Sequence, residues 1–278
     1  MPGKKENTKK QEAGKSYVGI IGGPEILELA DYREKKEFDT EYGKPSSPLM
    51  LGSIAGVDIA AMRRDAIDGG LSPQNIPYLA NIKAFESLGV KRIIAISSVA
   101  TMRSDFVAGD FVFPSHFINM SNGRRDTFFD SGNVLRIGDP KPYCSDIAYW
   151  GAKAADNLGY IKYHKESTVI ITNGTRRPTL AESRLFAGWG CDVIDYYQYP
   201  EIVLAKEKGI CYGAVSMVLD YDSIVEELGK SFRAYVDMEG QYKRTISGLK
   251  ALLSEMLPNI AEDKSCECKS TVYVKDTK

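Results

Sequence analysis

Four times in this sequence a helix-length amphipathic stretch stops at a glycine, and a short apolar run follows. Ile76 to Leu88 ends at Gly89, ahead of Arg92-Ile93-Ile94-Ala95-Ile96-Ser97-Ser98. Ile147 to Leu158 ends at Gly159, ahead of Thr168-Val169-Ile170-Ile171-Thr172. Thr179 to Trp189 ends at Gly190, ahead of Asp192-Val193-Ile194. Pro200 to Lys208 ends at Gly209, ahead of the run from Ile210 to Leu219. Glycine closes helices because it adopts the left-handed conformation there without a Cβ penalty. Apolar runs that do not alternate with polar residues belong to strands covered on both faces. The order therefore predicts an α/β chain: a three-layer α/β/α sandwich around a central mixed β-sheet. Tyr17 to Gly23 adds a strand closed by glycines, and Leu49 to Ala61 reads as a hairpin around Gly52 to Gly56. Ser223 to Met256 reads as largely helical, with Ile246, Leu249, Leu252, Leu253 and Met256 on one face.

No Pro/Ser-rich linker or repeat interrupts this pattern, so residues 16–260 are expected to form one domain. Residues 1–15, with Lys4, Lys5, Lys9, Lys10 and Lys15 and no apolar period, read as a flexible tail, and 261–278 as a polar C-terminal tail. The 36 Lys+Arg and 37 Asp+Glu nearly cancel, so no global field draws the chain to nucleic acid or an acidic membrane. No run approaches the roughly 18 apolar residues of a membrane span. No apolar block follows the basic N-terminal residues, so no secretory signal is read and a cytoplasmic location is expected. Neither a cofactor fingerprint nor a Cys/His/Asp spacing typical of a metal site is present. His116 and His164 read as structural. Cys144, Cys191 and Cys211 read as buried small residues.

In an open α/β sheet, ligands gather where strands end. The candidate strand ends are Gly22-Gly23, Arg63-Arg64-Asp65, Ser97 to Thr101, Asn173-Gly174 and Asp220-Tyr221-Asp222. The last closes an apolar strand and puts two carboxylates at i and i+2, on one side of extended backbone. A desolvated carboxylate beside a like charge is pushed toward its protonated form, which suits a general acid. The alternative is a solvated turn in which Asp222 caps the next helix.

Several of these segments occur together with Asp39-Thr40-Glu41-Tyr42-Gly43-Lys44-Pro45-Ser46, Tyr78-Leu79-Ala80-Asn81-Ile82, Ala181-Glu182, Trp189 to Ile194 and Pro200 to Tyr212. In this order the combination resembles the 5′-methylthioadenosine phosphorylase branch of the purine nucleoside phosphorylases, over about residues 17 to 256. The terminal Cys266-Glu267-Cys268 resembles the Cys-x-Cys of some archaeal members. That family cleaves a purine nucleoside's glycosidic bond with phosphate. The resemblance implies that Asp220 is the catalytic acid at purine N7 and that Asp222 accepts from a 6-amino group. It also implies that Gly174, Arg177, Tyr196 and Ser98 lie along the base and sugar. Gly22, Gly23, Arg64, Ser97 and Tyr197 then fall at the phosphate place. Members assemble as trimers whose sites borrow the segment matching Phe117 to Phe129, so a homotrimer or hexamer is expected, with Phe128 and Phe129 covered by a neighbour.

The phosphate place departs from the family pattern. The Ser/Thr-Gly turn after Gly-Gly is missing, and Gly23 runs into Pro24, which has no amide N–H to donate. Asp65 stands where the family has histidine, and beside phosphate it would repel by several kcal/mol at about 4 Å. Ala100 replaces a glycine, Arg177 the aromatic that stacks on the base, Tyr196 a methionine and Tyr197 a phosphate-binding threonine. A guanidinium can still stack on a base. These departures leave three expectations open: cleavage with an impaired or rebuilt phosphate site; a hydrolase, or an enzyme for a different, possibly anionic, nucleoside-like substrate; and a non-catalytic relative. Arg63-Arg64, Arg124-Arg125 and Arg176-Arg177 read as solvated or interface charges. If Arg64 and Arg177 converge, they would hold an anion. Cys266 and Cys268 read as part of a reduced tail, with a redox-labile disulfide as the alternative.

Overall fold

Val18–Gly22 forms strand β1 of the computed structural model, buried along its whole length between two parallel neighbours. The structure describes residues 16–129, 135–138, 141–229, 238–262, 266, 268 and 272–274; the expected tail 1–15 lies outside them. The other strands are β2 (Tyr32–Lys36), β3 (Leu49–Ile54), β4 (Val57–Arg63), β5 (Arg92–Thr101), β6 (Phe111–Asn119), β7 (Leu135–Ile137), β8 (Tyr163–Ile171), β9 (Val193–Asp195), β10 (Cys211–Tyr221) and β11 (Val272–Val274). The helices are α1 (Tyr78–Ser87), α2 (Ser145–Leu158), α3 (Leu180–Gly188), α4 (Gln198–Glu207), α5 (Ser223–Glu227) and α6 (Met238–Glu262).

The α/β class and the mixed sheet are as the sequence predicts. Nine strands run in the order β10-β6-β8-β9-β5-β1-β4-β3-β2. The stops at Gly89, Gly159, Gly190 and Gly209 all carry positive φ. Along β5, Ile94 and Ile96 point into one core with α2 and α6, while Ile93 and Ala95 point into the other with α1 and α4. Every position is therefore apolar because both faces are covered. The C-terminal stripe behaves the same way, with Ile246, Leu249, Leu252, Leu253 and Met256 all buried against the first core.

Three features were not anticipated. First, β5 also pairs with β10 along its whole length, so β5, β9, β8, β6 and β10 close into a ring. Val99, Val112, Val169, Ile171, Val193 and Val218, drawn from all five strands, fill its interior. Second, β2 and β6 are missing from the sequence reading. β2 is a charged edge strand, Tyr-Arg-Glu-Lys-Lys, and β6 carries Pro114, around which its register with β8 shifts. Third, part of the segment read as a polar tail is structured. Val272–Val274 pairs with Leu135–Ile137, and Cys266 and Cys268 pack against the first core.

The expectation that Phe128 and Phe129 need a neighbour is corrected. Phe128 is buried in its own chain, edge-on to Tyr42 at 5.1 Å with the Lys208 ammonium 4.2 Å from its ring centre, and Phe129 packs beside it in the second core. His164 is structural, bonded to Asp110 at 2.7 Å and stacked on Phe106. Among the described residues, no helix is long and apolar enough to cross a membrane.

Helix α2 reaches β10 because Gly213 has no side chain; a Cβ there would lie 2.5 Å from Ile147. Gly213→Ala should lower unfolding stability by about 1–3 kcal/mol. Gly188→Ala should raise it by about 0.5–1 kcal/mol, because Gly188 is exposed at the end of α3 with open space around it. Urea unfolding midpoints of the two variants test both.

Candidate active site

Buried in the centre of the sheet is a charged residue, Arg64, which follows the end of β4 and is 1% exposed. Its Nε and Nη2 donate to the two oxygens of Glu201 at 2.9 and 3.0 Å. Nη1 donates to the Ile96 carbonyl at 2.6 Å and Nη2 also to that of Ile21 at 3.2 Å. Glu201, 0% exposed, also accepts from the Tyr212 hydroxyl at 2.8 Å. Burial alone would lower the arginine's pKa, but the Glu201 charge and hydrogen bonds raise it above its usual value. The Tyr197 ring lies over the guanidinium, 5.3 Å from centroid to carbon. The Arg64 guanidinium is thus held by Glu201 and by carbonyls of β1 and β5, with the Tyr197 ring over it.

The Gly22-Gly23 end of β1 is occupied from within. Pro24 begins a short 3-10 turn that swings Glu25 back over the glycines, where Glu25 Oε1 accepts from the Gly23 N–H at 2.7 Å. Glu25 is 3% exposed; burial pushes its pKa above the usual 4.5, while the backbone hydrogen bonds and Arg64 hold it back. A carboxylate of the chain therefore sits on the amide that an anion would use. Asp65, expected to face the phosphate place, instead binds Arg63 at 2.8 and 3.1 Å.

Ser97 is likewise committed. Its hydroxyl accepts from Gln198 Nε2 at 3.0 Å and lies 3.3 Å from the Ser216 hydroxyl. Gln198 accepts from Tyr143 at 2.5 Å and donates to Asp195 at 3.2 Å. Asp195 caps the start of α4, accepting from the backbone of Tyr197 and Gln198. This buried network joins β5, β9, β10 and α4 and engages the Ser97 hydroxyl.

The other end of the site is more open. Ser98 is exposed on β5, two residues before Ala100, the register partner of Asp220. Asp220 is half-buried, and its Oδ1 accepts from the Tyr221 N–H at 2.9 Å. Tyr196 packs against Gly174, whose φ is +79° and whose Cβ would meet the ring at 3.0 Å. Burial raises the Tyr196 pKa, and the Arg177 charge opposes that. Arg177 donates to the Tyr221 carbonyl and pairs with Glu226 at 3.4 Å, so it is held at the strand end rather than free to stack. A cleft of about 180 Å³ meets this end of the site at Gly174, walled by Thr172, Asn173, Gly174, Arg176, Glu182 and Phe186.

Asp222 caps α5, its Oδ1 accepting from the Ile224 N–H at 3.1 Å. The cap foreseen as the alternative is present, but the turn is not solvated: Asp222 is 1% exposed. Its Oδ2 is buried with no hydrogen-bond partner among the described residues. A buried carboxylate oxygen without a donor costs free energy unless a ligand supplies one.

Sequence reasoning missed Glu25, Gln198 and Arg124. Arg124, read as a solvated or interface charge, binds the carbonyls of Tyr196, Tyr199, Thr172 and Asn173 at 2.6–3.3 Å and the Gln74 side chain at 2.9 Å. It clamps the loops after β8 and β9. Arg63 and Arg176 are also paired, with Asp65 and Glu182. Pro24-Glu25 after Gly-Gly was the one available signal, since an acid there can fold back onto the vacated amide.

Residues 17–250 match the model of the Phosphorylase superfamily, and the chain belongs to that family. Within it, the similarity is to the methylthioadenosine phosphorylase branch. The S-methyl-5'-thioadenosine phosphorylase of Thermofilum pendens is 36% identical over 258 residues, covering 91% of this chain and 96% of its own. That of Nitrosopumilus maritimus is 34% identical, covering 90% and 94%. Among solved structures, a methylthioadenosine phosphorylase from an antarctic soil metagenomic library superposes with a TM-score of 0.87 at 26% identity, covering 94% of this chain and 93% of its own.

Glu201→Gln should destabilise the fold by about 3–5 kcal/mol, because it leaves the Arg64 charge buried without its counter-charge. Chemical denaturation of the variant against the parent measures this. A loss below about 1 kcal/mol would show that Arg64 does not depend on the pair.

Proposed function

We propose that this chain cleaves the N-glycosidic bond of a 6-aminopurine nucleoside of the methylthioadenosine kind, through a rebuilt phosphate place that binds phosphate weakly. The observation that carries the reading is the buried, unpartnered Oδ2 of Asp222. An exocyclic amine is a donor of the right kind for it, whereas a 6-oxo group would put an acceptor against an acceptor. The solved relatives from Schistosoma mansoni include complexes with adenine, tubercidin and methylthioadenosine, which supports an adenine-like occupant here.

In this reading Asp220 carries a proton and donates it to purine N7. A nucleophile bonds to C1′, the C1′–N9 bond breaks, and its electron pair passes to the base. A donor at N7 stabilises that charge more in the transition state than in the ground state. Phosphate has little to hold it: the Gly23 amide is taken by Glu25, and Arg64 is taken by Glu201 and covered by Tyr197. The position of Glu25 favours a second reading, in which water attacks C1′ and its proton passes to the Glu25 carboxylate.

Adenine release from methylthioadenosine and adenosine, with and without phosphate, tests these readings. Asp220→Asn should lower turnover at least about 10²-fold, and phosphate should bind with a Kd weaker than about 1 mM. If water is the acceptor, release needs no phosphate and Glu25→Gln abolishes it. The acid limb of the parent's rate profile then lies above pH 4.5, because the base must be ionised and burial raises its pKa. Unchanged adenine binding and turnover in Asp220→Asn would overturn the assignment.

We also propose a trimer or a multiple of it, supported by the family resemblance and by exposed Met120 at the mouth of the cleft. Sedimentation equilibrium at micromolar concentration should give that mass, and a monomer would refute it.

A further inference from the structure

Four of the five cysteines, far apart in sequence, meet at one point. Cys144 stands at the N-cap of α2, Cys211 opens β10, and Cys266 and Cys268 come from the C-terminal segment. Their four sulfurs all lie within 4.8 Å of one another, and Cys211 Sγ is 3.3 Å from Cys266 Sγ. This corrects the expectation that the chain offers no metal-ligand set. Spacing hid it, because the ligands arrive as two separate residues and one Cys-x-Cys.

We infer that Cys144, Cys211, Cys266 and Cys268 bind a zinc ion. Tetrahedral zinc–thiolate bonds of about 2.3 Å place the sulfurs roughly 3.8 Å apart, the scale of this cluster. Disulfides would instead draw them into pairs bonded at about 2.05 Å. Here each sulfur keeps the other three as near neighbours. Four converging thiols supply the soft S4 donor set that zinc takes.

The surroundings suit the net negative charge of such a centre. Cys144 lies at a helix N-terminus, where the partial positive charge favours thiolate. Across the β5–β10 pair, Arg92 is the register partner of Cys211, placing a cation on the same side of the sheet.

The centre is structural. Cys211 and Asp220 stand at opposite ends of β10, roughly 30 Å apart at strand rise, so the ion takes no part in the chemistry at Asp220. It fastens the C-terminal segment to the start of α2 and the base of the sheet.

The test uses the full chain purified without added chelator. Elemental analysis and native mass spectrometry should find about one zinc per chain. All five thiols should react only after denaturation with chelator, and a cobalt-substituted chain should show thiolate-to-cobalt charge-transfer bands. Cys268→Ser should lose stoichiometric zinc, whereas Cys191→Ser, which alters the cysteine outside the cluster, should retain it. Two outcomes overturn the inference. One is a metal-free chain whose mass and thiol count show two disulfides. The other is a metal-free chain with every thiol reactive.

Discussion

The ion pair of Arg64 and Glu201 is the contact on which the rest of the site depends. Each partner would be prohibitively costly to bury alone, so the pair persists only because geometry satisfies both. Arg64 reaches carbonyls on β1 and β5, and Glu201 brings α4 and the Tyr212 hydroxyl of β10 to the same point. Four elements are therefore locked at the place where the sheet opens toward ligand. The Asp195–Gln198–Ser97–Ser216 network beside it fixes β9 and the start of α4. Together they make a rigid floor whose polar groups are spent on one another.

That floor divides the site into unlike halves. At the Gly22-Gly23 end, two acids of the chain occupy the amide and guanidinium that an anion would need, and a phenol closes the space above. At the Asp220–Asp222 end, an acceptor oxygen is buried without a donor, and Arg124 holds the surrounding loops by their carbonyls. Self-satisfaction at one end and an unmet hydrogen bond at the other make the two ends chemically unlike.

The strands and helices were legible because their signal is local. Ile93 to Ile96 must be covered on both sides whatever the topology, and a helix that meets Gly159 or Gly190 stops there. β2 escaped because a charged edge strand has no apolar pattern, and β6 because Pro114 interrupts one. Asp220 and Asp222 stood out at a strand end, and the family resemblance gave them roles. Glu25, Arg124 and the cysteine cluster carry no such local signal. Each acts through partners that the chain supplies from 40 to more than 100 residues away, or by folding back on itself.

The sequence by itself determined the α/β class, the covered sheet and the family, because apolar periodicity, glycine stops and motif order are properties of neighbouring residues. Only the tertiary structure decided what each charge does. Arg64 paired with Glu201, Asp65 turned to Arg63, Glu25 took the Gly23 amide, and four scattered cysteines came within 4.8 Å of one another. The role of a polar side chain depends on which donors and acceptors surround it after folding, and long-range packing sets that.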